Sequence, residues 1–77
     1  MPTALTIHLN GQPRTFDGLT SPADLASVIT TLGLKSDRVA VEHNGEIVPR
    51  AQWTKAHVVD GDRLEIVHFV GGGIALA

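Results

Sequence analysis

The chain contains no cysteine, which excludes a disulfide framework and a thiolate zinc site and leaves no side-chain thiol for sulfur chemistry. It has no tyrosine, one tryptophan and two phenylalanines among 43% hydrophobic residues, so its core must be largely aliphatic. Cations are few. Arg14, Lys35, Arg38, Arg50, Lys55 and Arg63 are scattered along a chain of net charge −2, which gives no electrostatic footprint for a phosphate backbone, and no nucleic-acid partner is expected. No apolar run approaches the length of a membrane span, so no membrane partner is expected either. The first residues lack the charged and apolar regions of a signal peptide, which points to a cytoplasmic protein. Seventy-seven residues make one small domain that cannot house a deep catalytic cavity, so the chain is not expected to be an enzyme.

What is present is hydrophobic alternation broken by turn signals. From Thr3 to Leu9 the residues Leu5, Ile7 and Leu9 fall on one face and Ala4, Thr6 and His8 on the other, the pattern of a half-buried strand. Asn10-Gly11 supplies the positive φ values of a type I′ turn, so Gln12–Asp17 should return antiparallel with Phe16 inward. Pro13 cannot donate to a ladder, which places this second strand at a sheet edge. In Thr20-Ser21-Pro22-Ala23-Asp24, Ser21 reads as a helix cap, Pro22 as the first helical residue and Asp24 as the acid of a capping box. Leu25, Val28, Ile29 and Leu32 follow at helical spacing, and Gly33 can end the helix in the left-handed conformation.

Arg38–His43 alternates again, and Asn44-Gly45 predicts a second hairpin into Glu46-Ile47-Val48, stopped by Pro49. Arg50–Val59 has no clean period, although Trp53 is too large to leave in water and should fold that segment over the core. Asp60-Gly61-Asp62 reads as a turn and Arg63–Val70 as the last strand. Two hairpins and one helix predict an α+β fold of β-grasp, ubiquitin-like type: a mixed sheet of four to five strands with one main helix packed across it, the last strand beside the first. Residues 1–70 form the domain, and residues 71–77 a flexible C-terminal tail of three glycines and a four-residue extension.

That tail is the most informative feature. Gly71-Gly72-Gly73 follows a strand directly, and backbone without Cβ atoms is thin enough to be threaded through a narrow slot. A phosphate cradle is not expected here, because four following residues cannot supply the helix such a loop needs. On the final strand, Leu64 and Ile66 should enter the core, so that Val67 and Phe69 emerge on the open face and offer a partner docking surface. The alternative is that loop residues around Trp53 cover them. His8, His43, His57 and His68 match no metal motif, and Asp60, Asp62 and Glu65 are too closely spaced for an EF-hand, so no metal site is expected. Arg50 and Trp53 are read chiefly as a cap on the core.

The segments Val41-Glu42-His43-Asn44-Gly45-Glu46-Ile47-Val48-Pro49-Arg50-Ala51-Gln52-Trp53, Asp60-Gly61-Asp62 and Glu65 to Gly73 resemble the ThiS family, the small sulfur carriers of thiamin thiazole synthesis. The resemblance spans the chain up to Gly73. It implies a β-grasp protein co-substrate that binds no cofactor itself. A ThiF-like adenylyltransferase would adenylate its terminal carboxylate with ATP, and sulfur from a cysteine desulfurase or another donor would then replace AMP. The thiocarboxylate would pass sulfur to a ThiG-like thiazole synthase. By position the attachment residue is Gly73, with Gly71 and Gly72 as the threaded tail. Glycine suits the chemistry, since its carbonyl is the least crowded toward an attacking nucleophile.

The chain departs from that pattern at Ile74-Ala75-Leu76-Ala77. With these attached, the Gly73 carbonyl lies in an amide and cannot be charged, so the resemblance implies a precursor trimmed by a metalloprotease; the alternative is that the four residues are an artificial remnant added to the natural chain. Two other readings share the fold. One is a carrier serving molybdopterin, cysteine or another sulfur metabolite; the other is an uncharged ubiquitin-like interaction module.

Overall fold

The structure is a computed structural model that describes residues 4–70 and 73–76. Among the described residues eight strands and one α-helix follow in the order β1 (Ala4–Leu9), β2 (Gln12–Thr20), β3 (Ala23–Asp24), α1 (Leu25–Thr31), β4 (Val39–His43), β5 (Glu46–Ile47), β6 (His57–Val58), β7 (Arg63–Val70) and β8 (Gly73–Leu76). The main sheet has the order β2-β1-β7-β4-β5, with β8 also paired to β7. β1 and β7 are parallel at the centre, His8 opposite Arg63, and the other pairings in this sheet are antiparallel. This is the β-grasp arrangement, and β2 carries Pro13 at the sheet edge, where a missing N–H breaks no ladder.

Alternation gives the sheet one largely apolar face. Leu5, Ile7, Leu64 and Ile66 are fully buried there with Val41 and Phe16, against Leu25, Val28 and Ile29 of the helix. Each large aliphatic group so buried contributes about 1.5–3 kcal/mol. Trp53 closes the core: it is 3% exposed, and its indole Nε1 donates to the Val48 carbonyl at 2.9 Å.

The helix begins later than its sequence suggests. Asp24, not Ser21, is the N-cap; its carboxylate accepts from the Ser27 amide at 3.0 Å and the Ser27 hydroxyl at 2.7 Å. The cause lies in β3, where Ala23 and Asp24 pair with Val58 and His57 and hold the chain extended past Pro22. Leu32 is the C-cap and Gly33 follows at φ +75°, the left-handed conformation that suits glycine. The segment between Arg50 and Val59, which has no sequence period, contains a 3-10 turn at Arg50–Gln52 and the short strand β6.

Both Asn-Gly pairs form hairpin turns, with Asn10 and Asn44 at φ 49° and 51°. Their side chains also bond to β7. Asn10 donates through Nδ2 to the Ile66 carbonyl at 3.2 Å and accepts from the Ile66 amide at 2.8 Å. Asn44 Oδ1 accepts from the Arg63 amide at 2.8 Å. No helix of the described residues is long and apolar enough to cross a membrane.

Candidate functional site

The C-terminal half of β7 leads into the glycine tail, and alternation along it decides what each residue can do. Leu64 and Ile66 are in the core, so Val67 and Phe69 fall on the face that carries no helix. Val67 is half-buried opposite Ala40, while Phe69 is 45% exposed. The Trp53 segment does not cover Phe69; it packs on the helix side, where the Trp53 carbonyl accepts from the Ala26 amide. Ile47 is 68% exposed and stands opposite Glu42 at the far side of the open face.

His68 points to the other face, and with Phe69 it lines a shallow groove shared with Gly33, Leu34, Lys35 and Arg38. The groove therefore sets two exposed cations and an aromatic ring at the root of the tail. Lys35 and Arg38 carry no signal in the sequence pattern. They come beside β7 only because the helix ends at Leu32 and the next turn, Ser36–Arg38, leads into β4. On the open face itself, Glu42 lies directly opposite Glu65, an unfavourable juxtaposition of like charges.

The opposite end of β7 is held by the Asp60-Gly61-Asp62 turn. Asp60 Oδ1 accepts from the Thr6 amide at 2.8 Å. Asp62 Oδ2 accepts from the Val59 amide at 3.0 Å and lies 2.7 Å from His43 Nε2. Burial works to raise the Asp62 carboxyl, but its hydrogen bonds with His43, Val59 and Asn44 outweigh that and leave it below the ordinary value of 3.8. Asp24 is likewise held low, chiefly by the Ser27 hydroxyl and then by the Ser27 amide. The two aspartates of the turn thus work as structural acceptors.

His8 lies opposite Arg63, not His68, so the parallel pairing does not join those two imidazoles. Among the described residues no group of three or more His, Asp or Glu is placed to hold a metal ion.

Of the tail, Gly71 and Gly72 lie outside the described residues. Gly73 begins β8, which runs back along β7 with Gly73 opposite Val70, Ile74 opposite Phe69, Ala75 opposite His68 and Leu76 opposite Val67. The extension is a paired strand in this structure, where the sequence suggested a flexible tail.

Comparison with known proteins gives this geometry a context. A thiazole synthase of Paramagnetospirillum magneticum is 43% identical over 69 residues, 90% of this chain and 20% of that protein. The chain thus spans about a fifth of the length of the thiazole synthases it matches. The sulfur carrier protein ThiS of Bacillus subtilis is 37% identical over 49 residues, 64% of this chain and 74% of that one. The crystal structure of a thiamine biosynthesis protein (ThiS) from Geobacter metallireducens superposes with a TM-score of 0.76 at 33% identity, covering 90% of this chain and 100% of that chain. Residues 7–73 match the ThiS family, from the first central strand to the last glycine of the tail, and the chain belongs to that family.

Proposed function

We propose that the chain is a sulfur carrier for thiazole formation in thiamin biosynthesis, charged at Gly73 once residues 74–77 are removed. The observation that carries this reading is where the family match stops: at residue 73, the glycine whose carboxylate trimming would expose. Hydrolysis of the Gly73–Ile74 peptide bond by a metalloprotease adds water across it and leaves that carboxylate. One carboxylate oxygen then attacks the α-phosphorus of ATP in a ThiF-like adenylyltransferase and expels pyrophosphate. A sulfur nucleophile next attacks the acyl carbon and expels AMP: hydrosulfide leaves a thiocarboxylate directly, whereas a persulfide supplied through a cysteine desulfurase leaves an acyl disulfide, which a second thiol cleaves to the thiocarboxylate as it becomes a disulfide with the donor sulfur.

The protein acts here as a co-substrate and not as a catalyst. Its domain is a handle: the exposed Phe69, with Val67 beside it, docks on the enzyme while the glycines reach the nucleotide. A backbone without side chains passes the constriction that keeps water from the acyl-adenylate. The sulfur acceptor is a ThiG-like thiazole synthase, a reading supported by the relatives of that name.

Intact mass of the protein isolated from its own cells tests the proposal. The expected species ends at Gly73, alone or with one oxygen replaced by sulfur, and purified thiazole synthase should return the sulfur-bearing form to the carboxylate. Finding the Gly73–Ile74 bond intact in every molecule would overturn it.

A further inference from the structure

One edge of β7 is shared by three different partners in succession. His8 donates its amide to the Asp62 carbonyl at 2.9 Å and Asn10 its amide to the Leu64 carbonyl at 2.8 Å. One step on, the Asn10 side chain takes both backbone groups of Ile66. There the β1 side of the edge ends, because Asn10-Gly11 turns the chain away into β2. Backbone groups alternate in direction along a strand, so the next N–H and C=O groups on that same edge belong to His68 and Val70. These are the residues that stand opposite Ala75 and Gly73 of β8.

We propose that the β7 edge at His68 and Val70 is a strand-docking site. Residues 73–76 hold it in cis, and an extended segment of the adenylyltransferase takes it in trans once Ile74, Ala75 and Leu76 are gone and Gly73 is released from the sheet. The partner assignment rests on the sulfur-carrier reading. Three features favour a backbone-pairing occupant. The edge already accepts an antiparallel strand, with a register set by the chain itself. It lies at the root of the tail that must enter the partner. And the exposed Phe69 lies on the same stretch of β7, opposite Ile74, so a strand added there extends the sheet beside a ready aromatic anchor.

The consequence is that one cut does two things. It creates the Gly73 carboxylate, and it removes the three residues that tie Gly73 back along its own sheet. Before the cut the occupied edge reduces partner affinity by the fraction of molecules in which it is open.

Ala75→Pro in the full-length chain separates the two effects, because proline has no N–H for the pairing with His68 yet leaves the Gly73–Ile74 bond intact. Amide hydrogen exchange in the free protein should quicken at His68 and Val70 in this variant and in a chain ending at Gly73. Glu65 and Val67, whose amides point toward β4, should not change. Titrated with the host adenylyltransferase in the absence of ATP, the proline variant should bind about tenfold more tightly than the unaltered chain, and His68 and Val70 should become protected again in the complex. Equal exchange at His68 and Val70 in the unaltered and proline chains, equal affinity, or amides left open in the complex would each overturn the inference. Failure of the sulfur-carrier reading looks different: the exchange and binding pattern would hold, but the chain ending at Gly73 would not be charged by ATP and the enzyme.

Discussion

The two ends of β7 are built on opposite principles. At its start, Arg63 and Ile66 are tied by the Asn44 and Asn10 carboxamides, and the flanking turn is fixed by Asp60 and Asp62. At its finish, Phe69 stands half in water, and a glycine-linked strand pairs with the edge. The same eight residues thus carry a locked anchor and an exposed working end. The lesson is that side-chain bonds concentrate rigidity at the start of the strand, which on the proposed reading leaves the finish able to change partners without loosening the domain.

Substitutions can break this contrast. Asn10→Ala should have the largest effect, about 2–4 kcal/mol of lost stability, because it orphans the Ile66 amide and carbonyl and places a Cβ residue without a carboxamide at positive φ. A urea melt would show it as a lower midpoint at unchanged slope. Acid should come next. Asp62 and Asp24 titrate below their ordinary 3.8 when folded, so near that pH the folded chain binds fewer protons than the unfolded one. Their stabilisation is complete above 3.8 and is lost as pH falls through the lowered values. Urea midpoints measured down this range should fall, and Asp62→Asn should flatten the decline.

The working end should respond in the reverse sense. Phe69→Ala is expected to cost under about 1 kcal/mol of stability but to weaken binding to the adenylyltransferase about tenfold by calorimetry, as removal of an exposed aromatic anchor does. Unchanged affinity would take the docking role from this face. The smallest effect sharpens the contrast from the middle of the strand: Glu65→Lys places a cation opposite Glu42 and should raise stability by roughly 0.5 kcal/mol, less at high salt.

Much of this was readable in the chain. Two Asn-Gly pairs and strict alternation define both hairpins and the core face of β7, since turn chemistry and period are local properties. What the asparagine side chains do is not local. Asn10 meets Ile66 across 56 positions, and only the parallel register of β1 and β7 brings them together. β3 and β6 have no signal in the sequence because two-residue strands have no period, and their pairing is why the helix cap is Asp24 and not Ser21. The groove of Lys35, Arg38 and His68 has no signature, being assembled from a helix end, a 3-10 turn and a strand. Gly73–Leu76 could not be read as a strand, since glycine has no facing and the few aliphatic residues after it fit a strand and a loose tail equally.

The lone indole has a practical side. With no tyrosine and one tryptophan in the chain, the emission spectrum belongs to Trp53, whose ring is in the core and whose Nε1 is bound to Val48. Its light should be blue in the native protein and move to the red when the domain opens. Because Trp53 belongs to the buried cluster, with its carbonyl bonded to the Ala26 amide of the helix, this colour reports the integrity of the body while staying silent about the fate of the last four residues.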